Sequence, residues 1–276
     1  MKWTASFLST GTVCLDGIRG EMDLVENGIP QGSPISPILA AIYTAELLEI
    51  FTPTAAPTRT TPIPDKPTST EMLIYMDDGK LYVSSLTLDI RLLHTAYTRA
   101  DKWLVAAGLS SDSAKRELMH YSRRRDCELP SMTFHDSDGR TRVVKPESTV
   151  RWLGVHFDQE LRFEQHVKIA AAHGEIAVNG MTMLANTVHG LSQQHLRLLY
   201  LACVVPKILY GCPLWSNNTV KQIKPLEKVQ RRVLYLLCAA FKTTPSEALE
   251  IEASVPPIRI QSQQHIKQCA IRFNVG

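Results

Sequence analysis

Apolar residues along the chain recur at helical spacing in some stretches and at strand spacing in others, and the switches between the two mark out the elements. Trp3, Phe7 and Leu8 have helical spacing and Ser9-Thr10-Gly11 stops it, so residues 1–10 read as the tail of a helix. Thr12 to Leu15 and Met22 to Val25 flank an Asp16-Gly17 pair, which predicts a β-hairpin with a loop somewhat longer than two residues. Pro37 suits a first helical turn, where its missing N–H costs nothing. Ile38, Leu39, Ile42, Ala45 and Leu48 or Leu47 then repeat on one face, predicting a helix to about Phe51. Residues 52–70 hold prolines at 53, 57, 62, 64 and 67 among threonines and alanines, a composition that buries little and predicts an exposed, extended loop. The β-forming runs Leu73-Ile74-Tyr75 and Leu81-Tyr82-Val83 lie on either side of Asp77-Asp78-Gly79, predicting a tight hairpin with both carboxylates at its turn. A helix follows from about Leu88 to Ala107, with Gly108 as its C-cap.

Lys115, Leu118 and Tyr121 lie in a strand-like stretch. Met132 to Phe134, Val143-Val144 and Val150 to Phe157 read as short strands, the first two joined by an Asp138-Gly139 turn. From Phe163 the pattern is nearly all helical, with helices expected over roughly 163–188, 192–210, 219–240 and 245–252. The fold class is therefore α+β, divided into a mixed region, 1–160, and a helical region, 161–276. No internal repeat at a fixed period is visible.

A chain of 276 residues, 44% hydrophobic and 21% charged, has material for one large domain or two moderate ones. Its net charge is only +3, so a nucleic-acid partner has to be held by local basic patches. Two candidates are Arg123-Arg124-Arg125 and the helically spaced Lys221, Lys224, Lys228, Arg231 and Arg232; an ordinary solvated face explains either group equally well. None of the six cysteines has the C-x-x-C spacing of a zinc or redox motif, and they read as reduced, mostly buried thiols. Ser, Thr and Gly interrupt Met1 to Leu15 before a signal-peptide core forms, and Arg197, Pro206 and Lys207 break the most apolar later stretch, Leu196 to Leu214. An intracellular protein, cytoplasmic or nuclear and without a membrane partner, is the expectation.

Asp77 and Asp78 carry the chemistry. Adjacent carboxylates repel unless a cation lies beside them, and Mg²⁺ commonly takes one or two carboxylates plus substrate phosphates, which suits phosphoryl transfer. An isolated Asp-Asp-Gly is equally an ordinary exposed turn.

The neighbouring residues point further. Tyr75-Met76-Asp77-Asp78 resembles the Y/F-x-D-D box of reverse transcriptases, and upstream Asn27-Gly28-Ile29-Pro30-Gln31-Gly32-Ser33-Pro34-Ile35-Ser36-Pro37 resembles the family's G-[IV]-P-Q-G-S-x-x-S-P box. Downstream, Gly108-Leu109 with Lys115-Arg116-Glu117, and then Trp152-Leu153-Gly154-Val155, are similar to the next two palm motifs. Leu199-Tyr200, Pro206 to Tyr210, Trp215, Gln230-Arg231-Arg232 and Thr243-Thr244-Pro245 look like the sequence C-terminal to the palm in non-LTR, LINE-like retrotransposon enzymes.

The resemblance implies a polymerase palm, a small antiparallel sheet with helices on one face, over 1–160, and an all-helical thumb and connection region over 161–276. It implies RNA-templated DNA synthesis by nucleotidyl transfer, with an RNA template, a DNA primer and dNTPs as partners. Asp77 and Asp78 would hold two Mg²⁺ ions, Mn²⁺ being an alternative. Lys115 would stand near the leaving pyrophosphate, although a solvated surface lysine fits the short motif as well. Gly28, Pro30, Gln31, Gly32 and Ser33, with Tyr75 and Met76, would approach nucleotide and template, and Trp152, Leu153 and Gly154 would grip the primer. A plain buried strand is the bland reading of those three.

The chain departs from the family pattern in lacking, upstream, the fingers and the strand that supplies a further metal-binding aspartate; Gly11 stands where many relatives have arginine. The expectation is that the chain works as part of a larger polyprotein or with a missing N-terminal half and is inactive alone. A decayed or repurposed fragment that only binds nucleic acid is the alternative.

Overall fold

The computed structural model describes residues 10–11, 14–15, 18–19, 23–24, 33–51, 69–85, 90–122, 129–135, 141–185 and 190–274. Four two-residue strands open it: β1 (Thr10–Gly11), β2 (Cys14–Leu15), β3 (Ile18–Arg19) and β4 (Asp23–Leu24). β2 pairs antiparallel with β3, Leu15 opposite Ile18, and β1 pairs with β4, Thr10 opposite Leu24. Asp16 and Gly17, which the sequence pattern places at the turn, lie outside the described residues. Residues 1–9 lie outside the described residues, as does the helix tail expected there.

α1 (Ser36–Glu49) has Pro37 in its first turn, as the sequence predicts. It buries Leu47 near its C-terminus, as the chain buries Phe51 just beyond it, and leaves Ile38 and Ile42 exposed, so the face expected from periodicity is not the one used. The helix is apolar almost all round, and such a sequence specifies no unique buried face. β5 (Ser69–Tyr75) and β6 (Asp78–Ser84) form an antiparallel ribbon paired from Ser69↔Ser84 to Tyr75↔Asp78. β5 begins inside the expected 52–70 loop, of which residues 52–68 lie outside the described residues.

α2 (Ile90–Ala106) ends in a Schellman turn: the Gly108 N–H donates to the Val105 carbonyl, and the Leu109 N–H to the Leu104 carbonyl at 2.8 Å. Gly108 takes the left-handed conformation this requires, with φ 71°. Met72 and Ile74 of β5 and Leu81 and Val83 of β6 pack, on one side of the ribbon, with Leu47, Phe51, Ala96 and Ala100 of the two helices. A small antiparallel sheet with helices on one face is the α+β arrangement the resemblance implies.

Beyond α2, Lys115 closes a 3₁₀ turn (Ser113–Lys115), and Leu118 forms only an isolated bridge to Pro146 rather than part of a strand. Two hairpins follow: β7 (Met132–His135) with β8 (Thr141–Val144), and β9 (Thr149–Trp152) with β10 (Val155–Asp158). Asp158 accepts backbone N–H bonds from Glu160, Arg162 and Phe163, and so shapes the bend into α3 (Glu164–Leu184).

Next comes one continuous helical rod with a π-helical stretch in it: α4 (Gln193–Leu199), residues Tyr200–Val204, and α5 (Val205–Ile208). The Val205 N–H reaches back to the Tyr200 carbonyl, and Pro206, which has no N–H to give, comes directly after it. α6 (Cys212–Trp215), α7 (Val220–Leu237), α8 (Ser246–Glu252) and α9 (Ile258–Asn274) complete the chain.

The sequence pattern does not predict α9. Its buried positions include Gln261 and Ser262, made tolerable by hydrogen bonds: Gln261 donates to the Pro256 carbonyl at 2.7 Å, and Ser262 shares one with Ser216. Gln230 of α7 donates to the same Pro256 carbonyl at 2.9 Å, so one carbonyl ties α7 and α9 to the turn between α8 and α9.

The chain forms two compact units, Met1–Arg116 and Glu117–Gly276. Secondary structure turns helical at Glu164, near the expected change at 160, but the β9–β10 hairpin belongs with the helices because Val155 and Phe157 pack into the same core as Val167, Tyr200 and Trp215. Four of the six cysteines have described side chains. Cys212 is buried, and burial pushes its thiol up to about 11; Cys238 and Cys269 are half-buried; Cys203 is exposed, against the expectation of mostly buried thiols. No helix among the described residues is long and apolar enough to cross a membrane.

Candidate active site and nucleic-acid interface

The ladder of β5–β6 runs one pair further than the sequence suggests, to Tyr75↔Asp78, and leaves Met76 and Asp77 as the two turn residues. Asp78 is thus the first residue of β6 rather than part of the turn. Met76 takes φ 57°, a conformation uncommon for any residue but glycine, and it is at such sites that backbone strain is characteristically stored. Tyr75, Met76, Asp77, Asp78 and Gly79 are all exposed, so both carboxylates stand at a solvent-facing tip. Below the tip, the Tyr82 hydroxyl donates to the carboxylate of its cross-strand partner Glu71; that bond, then burial, raise the Tyr82 pKa.

Among the described residues no group of three or more His, Cys, Asp or Glu side chains could hold a metal ion. The donor set at the tip is therefore two adjacent carboxylates. This fits a hard divalent cation that keeps waters and takes further oxygens from a phosphate, and does not fit a metal caged by protein alone.

Lys115 lies 85% exposed, with Nζ 3.5 Å from Asp112, an ion pair too solvated to fix it in place. Asp112 also caps the 3₁₀ turn by accepting from the Ala114 N–H at 2.9 Å. Ser33, half-buried ahead of α1, accepts the Ser36 N–H on its carbonyl. Gly28, Pro30, Gln31 and Gly32 lie outside the described residues.

Trp152, Leu153 and Gly154 come together at a second hairpin tip. Trp152 pairs with Val155, and both turn residues have positive φ, Leu153 46° and Gly154 80°, the signature of a type I′ turn. Tyr210, whose part here has no signal in local sequence, donates its hydroxyl to the Leu153 carbonyl at 2.9 Å.

The basic residues of α7 divide by partner. Arg232 bonds Glu175 and Asn179, Arg231 bonds the Tyr235 hydroxyl, and Lys221 lies 3.2 Å from Glu164. Lys224 and Lys228, with Lys168 of α3, line a groove of about 500 Å³ between the two helices, floored by Ala171, Pro225 and Val229. Sequence reasoning missed Lys168, since only the packing of α3 on α7 brings it to that rim. Arg123, Arg124 and Arg125 lie outside the described residues.

The family model described as reverse transcriptase (RNA-dependent DNA polymerase) matches residues 1–157, and the chain belongs to that family. Among curated proteins it is 28% identical over 149 residues to the retrovirus-related Pol polyprotein from type-1 retrotransposable element R1 4 of Nasonia vitripennis, an alignment covering 54% of this chain and 38% of that protein. It is 23% identical over 252 residues to the RNA-directed DNA polymerase from mobile element jockey of Drosophila funebris, covering 90% of this chain and 26% of that protein. The jockey polymerase of Drosophila melanogaster is 22% identical over 98% of this chain, which spans 28% of it. These matches place the chain with the reverse transcriptase domains of non-LTR, LINE-like retrotransposon proteins. It spans well under half the length of the curated relatives it matches. No solved structure matches the chain.

Proposed function

We propose that this chain supplies the palm, residues 1–160, and the helical thumb and connection region, 161–276, to RNA-templated DNA synthesis by a larger retrotransposon protein. The observation that carries the reading is the exposed Tyr75–Gly79 tip, with two adjacent carboxylates and a methionine held at positive φ, inside the stretch matched to the family. Asp77 and Asp78 bind Mg²⁺, or Mn²⁺, which when bound favours ionisation of the primer 3′-hydroxyl and neutralises the triphosphate. Tyr75 and Met76 shape the floor beneath the primer end. Gly28, Pro30, Gln31, Gly32 and Ser33 approach the incoming nucleotide and template. Lys115 leaves Asp112 for the pyrophosphate, an exchange of one exposed ion pair for another. Trp152, Leu153 and Gly154 grip the primer strand, and the groove lysines Lys168, Lys224 and Lys228 contact phosphates.

With two carboxylates and no third ligand among the described residues, the pair holds metal only weakly by itself, so the chain alone is expected to be inactive. Primer extension on poly(A) with an oligo(dT) primer and Mg²⁺ or Mn²⁺ tests this. The longer protein incorporates dTTP and loses incorporation on Asp77→Ala, whereas the 276-residue chain incorporates none. Incorporation by the isolated chain, lost on Asp77→Ala, would refute the inactivity; a longer protein indifferent to Asp77→Ala would refute the site. The groove favours a second reading, a module that only holds nucleic acid. Salt-dependent binding of an RNA–DNA hybrid that survives Asp77→Ala in a longer protein without polymerase activity would establish it.

A further inference from the structure

The Leu153-Gly154 turn is a strained choice. A type I′ turn needs positive φ at both central residues and is most easily made by Asn-Gly, yet its first position here holds leucine at 46°. A contact far away in sequence holds it. The Tyr210 hydroxyl donates to the Leu153 carbonyl at 2.9 Å, and the ring lies against the turn so closely that a Cβ on Gly154 would stand 3.0 Å from the ring carbon Cε1. Gly154 is thus required twice, for its φ and for the room its missing side chain leaves.

Tyr210 is itself fixed from behind. Its carbonyl accepts the indole N–H of Trp215 at 2.8 Å, and Trp215 is completely buried. Gly211, the next residue, lies against Val155 of β10, whose Cγ2 would stand 3.0 Å from a Cβ placed there. The π-helical stretch ahead of Pro206 adds a residue to one turn and shifts the phase of the succeeding residues by roughly 100°. The hairpin turn is therefore held against the helical unit by a tyrosine that is itself half exposed, with 54% of its surface accessible. A side chain whose task was core packing alone would be buried; this one holds a backbone carbonyl at a half-buried tip.

We propose that Tyr210 is a positioning residue for the primer strand. By holding the Leu153 carbonyl and the turn backbone, it fixes the tip of β9–β10 on the helical unit and presents that backbone to the sugar–phosphate of the primer 3′ end. This rests on the reading of the hairpin as the primer grip.

The test uses the full chain and Tyr210→Phe, which keeps the ring and removes only the hydroxyl. Two quantities are measured: hydrogen exchange of the amides of residues 153–155, and affinity for an RNA–DNA hybrid with a recessed DNA 3′ end against the same hybrid with blunt ends. The wild-type chain prefers the recessed end. In Tyr210→Phe the turn amides exchange about five- to tenfold faster and affinity for the recessed end falls by a similar factor, while blunt-end affinity and the melting temperature stay put. Unchanged exchange, or faster exchange with an intact recessed-end preference, would overturn the role of Tyr210. A wild-type chain without any such preference would instead overturn the primer-grip reading and with it the positioning role, and the exchange arm would then show only whether Tyr210 holds the turn.

Discussion

At the tip of β5–β6 Met76 takes φ 57°, and at the tip of β9–β10 Leu153 takes φ 46°, so each two-residue turn puts a large apolar side chain where the backbone favours glycine. The two are held differently. The carboxylate hairpin stands on a small core, with Leu47, Phe51, Ala96 and Ala100 its fully buried side chains among the described residues, and its tip is exposed from Tyr75 to Gly79. The second hairpin stands on a core of twenty-three buried side chains among the described residues and is clamped at the turn by Tyr210. The difference separates two ways of maintaining a strained turn. One relies on the ladder beneath it and leaves the tip open to whatever it binds; the other relies on a distant side chain and makes the tip part of a rigid body.

Taking away the second hairpin's support has the largest expected effect. Trp215→Ala empties a fully buried site and removes the donor that holds the Tyr210 carbonyl. It is expected to cost about 3–5 kcal/mol, read as a lower urea midpoint with faster amide exchange at residues 153–155. Leu47→Ala addresses the other hairpin and is expected to cost about 2–4 kcal/mol. Loss of protection along residues 72–83 in hydrogen exchange would show that the ribbon depends on this small core; retained protection would show that the ladder suffices.

Gly108→Ala separates local conformation from packing within the same unit. Nothing lies within 4 Å of the added methyl, so the expected loss of about 1 kcal/mol in thermal or urea unfolding comes from φ 71° alone. The smallest effect is a slope with pH. Burial lowers the His166 pKa by more than the Tyr210 backbone carbonyl raises it, and nearby His156 lowers it further. A histidine kept neutral in the folded state contributes its full stability above the unfolded value near 6.5, and that contribution is lost as the pH falls from there through the lower folded value. The melting temperature of the chain is expected to drop on acidification below about pH 6.5 and to drop less in His166→Phe; equal slopes would remove His166 as the cause.

Much of the first unit was legible in the sequence because it is locally encoded. Pro37 opens α1, Gly108 closes α2, and paired β-runs make the β5–β6 ribbon. Structure and local pattern part where two local rules compete. Asp-Gly chemistry pointed to a turn including Asp78, but the ladder runs on to Tyr75↔Asp78 and moves the turn to Met76-Asp77. An all-round apolar α1 offered several faces, and burial chose the end carrying Leu47. In the second unit the sequence pattern carries no clear signal for α9, because its buried face includes Gln261 and Ser262, whose burial depends on hydrogen-bond partners set by the fold.

By itself the sequence determined the family and the motifs that announce it, the α+β order of elements, and the hairpin that carries Asp77 and Asp78, all of which rest on residues within a few positions of one another. Only the tertiary structure decided that Tyr210 meets Leu153, that Lys168 joins Lys224 and Lys228, and that the β9–β10 hairpin belongs with the helices. The reason is range. Propensity and turn chemistry act over single turns and adjacent strands, whereas Tyr210 and Leu153 stand 57 positions apart, and a π-helical turn resets the phase of the helix that leads to Tyr210.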